Sequence, residues 1–275
     1  MVAEMEGRLV GVTAAAVHEV CIQGQSHRLA YIHHGRVHPS VRRRGVGGAL
    51  VLAATAWARD RGAGDPYWLI APANEVSIAF TGRIGGRWPV DATFVDIGVS
   101  DTAGLPAQAI GAGRLAEAVE LINARHDGEE LFERLTPESM RRRLRLDPQY
   151  GPEHLRGVVE DGRLVAVAGL WDWGAAVESI SVDATGEVTR SRTAAVPDWG
   201  YAPGRRDAFA ALLGSLSAEA RRLGRKALTL CEPSPAAVPD VGLPARRWSL
   251  SLVTPTLPAP AATTIRGIFA DLVYV

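Results

Sequence analysis

The stretch from Gly35 to Leu50, GRVHPSVRRRGVGGAL, constrains this chain more than any other. It reads as the end of a strand, a turn rich in arginine and glycine, and the start of an apolar helix. A helix N-terminus exposes main-chain N–H groups that have no intrahelical acceptor, and it carries a partial positive charge. Glycine there lets an anion approach the amides, and arginine adds charge at the rim. Arg42, Arg43, Arg44, Gly45, Val46, Gly47 and Gly48 are therefore candidate ligands of a pyrophosphate. A solvated basic turn would have the same composition.

Two other phosphate motifs fit poorly. A P-loop needs Lys and then Ser or Thr after its last glycine, whereas Gly48 is followed by Ala49 and Leu50. A dinucleotide fingerprint needs G-x-G-x-x-G at the first turn of a parallel βαβ unit, and Gly45, Gly47 and Gly48 lack that spacing. The residues upstream also read as an antiparallel meander: strands over 1–5, 9–22 and 29–37, separated by EGR and QGQS turns. Strict alternation in the third strand puts Leu29, Tyr31, His33, Gly35 and Val37 on one face.

Downstream, Val46, Leu50, Ala53, Ala54 and Trp57 recur at helical spacing, and the helix stops near Gly62. A strand over 67–71, a helix over 74–84 and a strand over 92–99 follow. This order describes a mixed α/β fold, a mostly antiparallel sheet flanked by helices rather than a doubly wound one. The small-residue segment 100–113 is the best linker, dividing the chain into 1–105 and 106–275. The second part reads as helices over 114–124 and 137–146, strands over 155–160, 163–171, 178–182 and 189–196, and a long helix over 206–223. Thr136 has N-cap chemistry and Asp161-Gly162 is a hairpin turn. Strands over 226–231, 247–253 and 267–275 complete it. The order of elements repeats that of the first part, without a residue-level repeat.

Thirty basic and thirty acidic side chains cancel, so no overall field favours nucleic acid or an anionic membrane as partner. The N-terminus lacks a signal-peptide pattern, and the expectation is a soluble, cytoplasmic protein. Cys21 and Cys231 form no ligand spacing, so no metal is expected.

Arg42, Gly45 and Gly47 fill a Gln/Arg-x-x-Gly-x-Gly/Ala pattern at a strand-to-helix junction, and Val37-His38-Pro39 fits a Val-x-Pro lead-in. With the order of elements over residues 1–99, this resembles the GCN5-related N-acetyltransferase superfamily, in a tandem arrangement of two acyl-CoA N-acyltransferase-like domains. The resemblance implies transfer of an acetyl group from acetyl-CoA to a primary amine, on a small molecule or a peptide, by direct attack. It implies that the strand carrying Val37 splays from the strand at 67–71 and that the pantetheine arm lies between them. The Val37 amide would polarise the thioester carbonyl, the amides of 43–48 would hold the pyrophosphate, and Asn74 would contact the CoA arm. An N-cap role explains Asn74 equally well.

The resemblance also places catalytic positions. Tyr31 stands where the family often has a glutamate base, and His33 lies two residues nearer the motif on the same face. Thr81 stands where the family has its tyrosine acid, a poorer donor to a departing thiolate. The family's first strand and two helices are missing. They are supplied by the C-terminal half, by a partner chain in a homodimer, or by residues upstream of a misplaced start. In the C-terminal half, the turn 199–206 lacks the glycine pattern and Pro203 removes an N–H, so this half reads as a degenerate copy with a structural or acceptor-recognition role. Its Trp171, Trp173, Trp199 and Tyr201 read as core or interface, and Asp172, Glu178 and Asp183 as solvated acids. The alternative to an enzyme is a CoA-binding or structural module without turnover.

Overall fold

The computed structural model describes the chain except residues 84–85, 88–90, 102–106, 146–147, 183–184, 236, 255–268 and 271–275. The strand expected over 267–275 and Asp183 therefore lie outside the described residues, save Phe269 and Ala270, which are not in a strand.

The first three strands are β1 (Val2–Met5), β2 (Arg8–Ile22) and β3 (Gln25–Val37), paired antiparallel in order. Glu6-Gly7 and Gln23-Gly24 all have positive φ, the two-residue turn whose twist matches a hairpin. Helix α1 (Val46–Arg59) follows, then β4 (Pro66–Ile70), α2 (Glu75–Thr81), β5 (Gly86–Arg87) and β6 (Ala92–Gly98). The apolar stripe of α1 is turned slightly from the expected one: Leu50, Ala54, Thr55 and Ala58 are buried and Ala53 is exposed. Ala54 packs with Ile32, Trp68, Ile70 and Val253, while Ala58 meets Ala30 and Ala63. These small residues let the helix lie close on the sheet.

The second part contains β7 (Gln108–Ala109), α3 (Leu115–His126), α4 (Pro137–Arg143), β8 (Leu155–Glu160) and β9 (Arg163–Gly169). It continues with α5 (Trp173–Ala176), β10 (Ser179–Val182), β11 (Val188–Ser191), β12 (Ala194–Ala195) and β13 (Trp199–Tyr201). Helix α6 (Arg206–Arg222), β14 (Ala227–Cys231) and β15 (Ala245–Thr254) end the described elements. Thr136 caps α4 in a reciprocal box with Ser139.

Pairing crosses the position expected as a boundary. The large sheet runs β1-β2-β3-β4-β15-β6-β14-β12, with β5 beside β15. Thus β15, late in the chain, lies between β4 and β6, and β14 pairs with the other edge of β6. A second sheet runs β13-β9-β8-β7.

One core joins both parts: Leu29, Tyr31, Tyr67 and Phe94 from the large sheet meet Ile122, Phe132, Met140 and Leu155 from the second half. Main-chain bonds fix the junction, with Cys21 N–H donating to Phe132 O (3.0 Å) and Leu131 N–H to Cys21 O (2.8 Å). The Asn123 side chain bonds both ways to the backbone of Leu135, at 2.8 and 2.9 Å, which holds the 127–136 segment against the sheet.

Beneath α4, Asp198 is buried and accepts from the Arg143 guanidinium (3.1 Å) and the Tyr150 hydroxyl (2.5 Å). Removing one member of a buried ion pair leaves the other charge desolvated, at a cost of about 3–5 kcal/mol. Asp198→Ala is expected to lower the urea-unfolding free energy by about that amount. Because β15 completes the first half's sheet, fluorescence and far-UV circular dichroism are expected to report one shared transition; a resolved second transition would contradict this coupling.

Candidate functional site

The glycine-arginine turn forms an open cradle. After β3, Pro39–Val41 make a short 3-10 turn, Arg43 and Gly45 take positive φ, and Gly45 becomes the N-cap of α1. The intrahelical ladder begins with Ala49 donating to Gly45 O at 3.0 Å. Among the described residues none accepts from the main-chain N–H groups of Arg43 to Gly48. Arg42, Arg43 and Arg44 are exposed around them, though Arg42 Nε also donates to Val37 O (3.3 Å). A Cβ built on Gly45 or Gly48 would meet nothing within 4 Å, so no packing within the protein demands glycine at either place. Together these groups make a concentrated anion-binding end to a 14-residue helix.

A cleft leads away from this cradle. Strands β3 and β4 run parallel but pair only at Ala30 with Pro66 and Tyr31 with Tyr67. Beyond that point β3 stays on β2, and Trp68, Leu69 and Ile70 of β4 pair with Val253, Leu252 and Ser251 of β15. His38 N–H donates to Val10 O across β2 (2.8 Å), so the alternation of strand bonding turns the Val37 N–H to the opposite edge, toward the cleft.

A bulge separates the two ends of β3. Ala14 opposes His33 and Val12 opposes Arg36, so His34 and Gly35 together face Thr13 alone. His34 has φ of 55°, and the Thr13 hydroxyl ties the bulge by donating to His33 O (3.1 Å). The expected alternation therefore fails past His33. Tyr31 and His33 share a face with Leu29, but the extra residue moves Val37 to the α1 face, where it lies beside Gly47.

On the face opposite α1 stand His18, Tyr31, His33 and Tyr67. The Tyr31 ring stacks on His33 at 4.9 Å and on Tyr67 at 5.1 Å. The Tyr67 hydroxyl lies 2.7 Å from His18 Nε2, and Glu133 of the second half approaches His18 Nδ1 at 3.7 Å. Burial holds the Tyr31 phenol well above the ordinary tyrosine range. Burial, then the neighbouring His34 and His18, lower the His33 imidazole to about 4, so it is neutral at pH 7. Of this group the sequence reading found Tyr31 and His33. It missed His18, two strand positions beyond Ala16, although alternation along β2 put it on the same face.

Residues 1–85 match the Acetyltransferase (GNAT) family. This N-terminal segment is of the GNAT family. A search of curated proteins gave no match. Among solved structures, the chain is similar to a GCN5-related N-acetyltransferase from Sphaerobacter thermophilus, with TM-score 0.58 and 18% identity, over 96% of this chain and 80% of that one. It is similar to Saccharomyces cerevisiae N-myristoyltransferase with bound myristoyl-CoA, with TM-score 0.62 and 10% identity, over 96% and 74%. It is also similar to a probable N-acyltransferase from Enterococcus faecalis V583, with TM-score 0.51 and 13% identity, over 91% and 60%. At these identities the likeness concerns fold, and it extends across both halves, as the tandem reading anticipates.

Two other positions marked by the GNAT pattern do structural work here. Asn74 Oδ1 accepts from Ser77 N–H (3.1 Å) as the N-cap of α2. Thr81 is buried, and its hydroxyl contacts Ser77 O at 2.9 Å and Ile78 O at 3.3 Å, back onto its own helix. Its Oγ proton is thereby committed to the main chain. Gly86 pairs with Thr254 in β15, and Gly85 lies outside the described residues.

In the second half, the side chains at the place corresponding to the cradle are engaged by neighbouring groups. At the start of α6, Arg205 pairs with Glu160, Arg206 donates to Val238 O (3.2 Å) and Tyr201 to Ala237 O (3.0 Å). Ala237 and Val238 are buried there against Phe209 and Leu212. Trp171 and Trp199 are core residues and Trp173 packs against the core. Asp172 pairs with Arg225, and Glu178 with Arg190 and Arg192. Among the described residues no helix is long and apolar enough to cross a membrane.

The unfolded His33 titrates near 6.5 and the folded one near about 4. Between those values the unfolded chain binds the extra proton, so stability falls as pH is lowered through this window and levels off below it. His33→Gln is expected to flatten the pH dependence of the urea midpoint between pH 6.5 and 4. An unchanged slope would contradict the burial of this imidazole.

Proposed function

We propose that this chain is an N-acetyltransferase that binds acetyl-CoA through its N-terminal half and transfers the acetyl group to a primary amine by direct attack in a ternary complex. The observation that carries the reading is the cleft between β3 and β4 with the open amide cradle at its wide end. The amides of Arg43 to Gly48 and the side chains of Arg42 to Arg44 hold the pyrophosphate. The pantetheine arm then follows the cleft, taking main-chain bonds of the kind β4 would otherwise give. The Val37 N–H faces that path and stabilises the carbonyl oxygen as negative charge develops on it.

At the narrow end of the cleft Tyr31 and Tyr67, each 4% exposed, stack at the last paired positions of β3 and β4. A second reading, binding of CoA without turnover, draws on one observation, the engagement of the Thr81 hydroxyl by its own helix.

Titration calorimetry with acetyl-CoA tests the donor site. Gly48→Glu places a carboxylate in open space and replaces a poor helix former, so unfolding free energy should change by less than about 1 kcal/mol. Binding of acetyl-CoA should weaken by tenfold or more, about 1.4 kcal/mol. Equal affinity of the two proteins would remove the cradle from the donor site. Thiol release that requires an added amine would set aside the reading without turnover.

A further inference from the structure

The pairing of β2 with β3 fixes which main-chain N–H groups of β3 are free. Their hairpin closes at Ile22 with Gln25 across a two-residue turn, so those two residues exchange main-chain bonds. Alternation from there aims the N–H groups of Gln25, His27, Leu29, Tyr31 and His33 at β2, and those of the residues between them at the opposite edge. Ala30 follows this rule, its N–H donating to Asp65 O just ahead of β4 (3.3 Å). Continued without interruption, the same count would set Val37 opposite Val10 and aim the Val37 N–H at β2. The extra residue at the bulge shifts the count by one. Val37 now faces Gly11, and the bond to Val10 O comes from His38 instead (2.8 Å). The cleft-facing Val37 N–H therefore exists only while the bulge does.

The bulge is strained, because His34 takes a φ of 55°, a left-handed conformation unfavourable for a residue with a Cβ. The main chain of Thr13, which faces it, cannot hold it. Thr13 N–H and O are engaged by Met1 on the other edge of β2, at 3.0 and 2.7 Å. Only the side chain reaches β3. Thr13 is 3% exposed, its hydroxyl donates to His33 O (3.1 Å), and the same oxygen stands 4.0 Å from where a Cβ on Gly35 would be. One hydroxyl thus sits beside the residues on both sides of His34. A valine there would keep the branched shape and lose the bond.

Resting on the acetyltransferase reading, we infer that Thr13 is a positioning residue whose hydroxyl locks the bulge that delivers the Val37 N–H to the carbonyl oxygen of the acyl donor. Thr13 acts through Val37 and needs no contact with the donor. The Val37 hydrogen bond strengthens as negative charge develops on that oxygen, whereas the cradle amides hold the pyrophosphate equally before and during reaction. Loss of the lock is therefore felt in the chemical step more than in donor binding.

The first test needs neither donor nor acceptor. Amide hydrogen exchange read by NMR in the full chain is expected to show the His38 N–H protected and the Val37 N–H exchanging at least about tenfold faster. Thr13→Val is expected to raise the His38 rate about fivefold, as for one lost hydrogen bond, with the amides of β6 and β14 unchanged; Thr13→Ser keeps the rate within about twofold. A Val37 N–H as protected as that of His38, or a His38 rate indifferent to Thr13→Val, overturns the proposal. The second test compares CoA with acetyl-CoA, which alone carries the carbonyl. Acetyl-CoA is expected to move the Val37 amide proton resonance further than CoA does, and Thr13→Val is expected to shrink that difference by about half or more. Equal shifts with the two ligands in wild type overturn the positioning role.

The third test measures thiol release from acetyl-CoA with spermidine, n-butylamine and a lysine-containing peptide as acceptors. Thr13→Val is expected to lower kcat on the order of tenfold, while the calorimetric Kd for acetyl-CoA stays within about twofold and its stoichiometry is unchanged. Thr13→Ser is expected to restore kcat to within about twofold of wild type. A protein that had merely lost stability would show a reduced stoichiometry instead. A kcat for Thr13→Val within twofold of wild type, or a loss that Thr13→Ser leaves in place, overturns the proposal. If wild-type protein fails to bind acetyl-CoA, the functional reading falls, and the exchange measurement still decides whether Thr13 holds the bulge.

Discussion

The bulge at His34 is the constraint on which the site depends. Two residues of β3 face one of β2, and the Thr13 hydroxyl holds the strained carbonyl in place. The extra residue bends β3 and reverses which face its side chains occupy. Before the bulge, Tyr31 and His33 face the second half; after it, Val37 faces α1 and its N–H faces the cleft. A regular strand could not serve both needs, because residues two apart share a face.

The second constraint is that the first half does not complete its own sheet. Strand β15 covers the edge of β4 that the cleft does not use, and β6 is covered on both edges by strands from the second half. Without β15, β4 would have a bare edge toward β6, and its separation from β3 would leave it attached at two residues only. The same exchange places the 127–136 segment on the far face of the sheet, where Leu131 and Phe132 bond to Cys21 and Glu133 reaches His18.

Local chemistry was legible in the sequence wherever it repeats over short range. The hairpin turns at Gln23-Gly24 and Asp161-Gly162, the Thr136 cap, the long α6 stripe and the glycine-arginine cradle all rest on neighbours within a few residues. The face of Val37 was not legible, because a bulge changes parity without leaving a distinctive residue; His34 is an ordinary side chain at an unusual φ. Glu133 was not legible for a different reason. Its approach to His18 spans 115 positions of chain and follows from how β15 and the 127–136 segment dock, which no local pattern encodes. Thr81 shows the reverse case: its position in the pattern pointed to an acid, and its burial decided that its proton serves the helix.

On the acetyltransferase reading, the engagement of the Thr81 hydroxyl by its own helix is chemically compatible with turnover. A thiol has a pKa near about 8.5 and an alkylammonium near about 10.4. At neutral pH a departing CoA sulfur would therefore be a tolerably stable thiolate and would collect a proton from water afterwards, so an acid in the site would gain little. The amine is in the opposite position: it is mostly protonated in water, and after attack its nitrogen carries a positive charge that must be discharged before the intermediate reverts. A site able to keep only one proton-transfer device gains more from the base. Tyr31 cannot fill that role, because burial resists its ionisation, and His33 cannot, because burial and two neighbouring histidines resist its protonation.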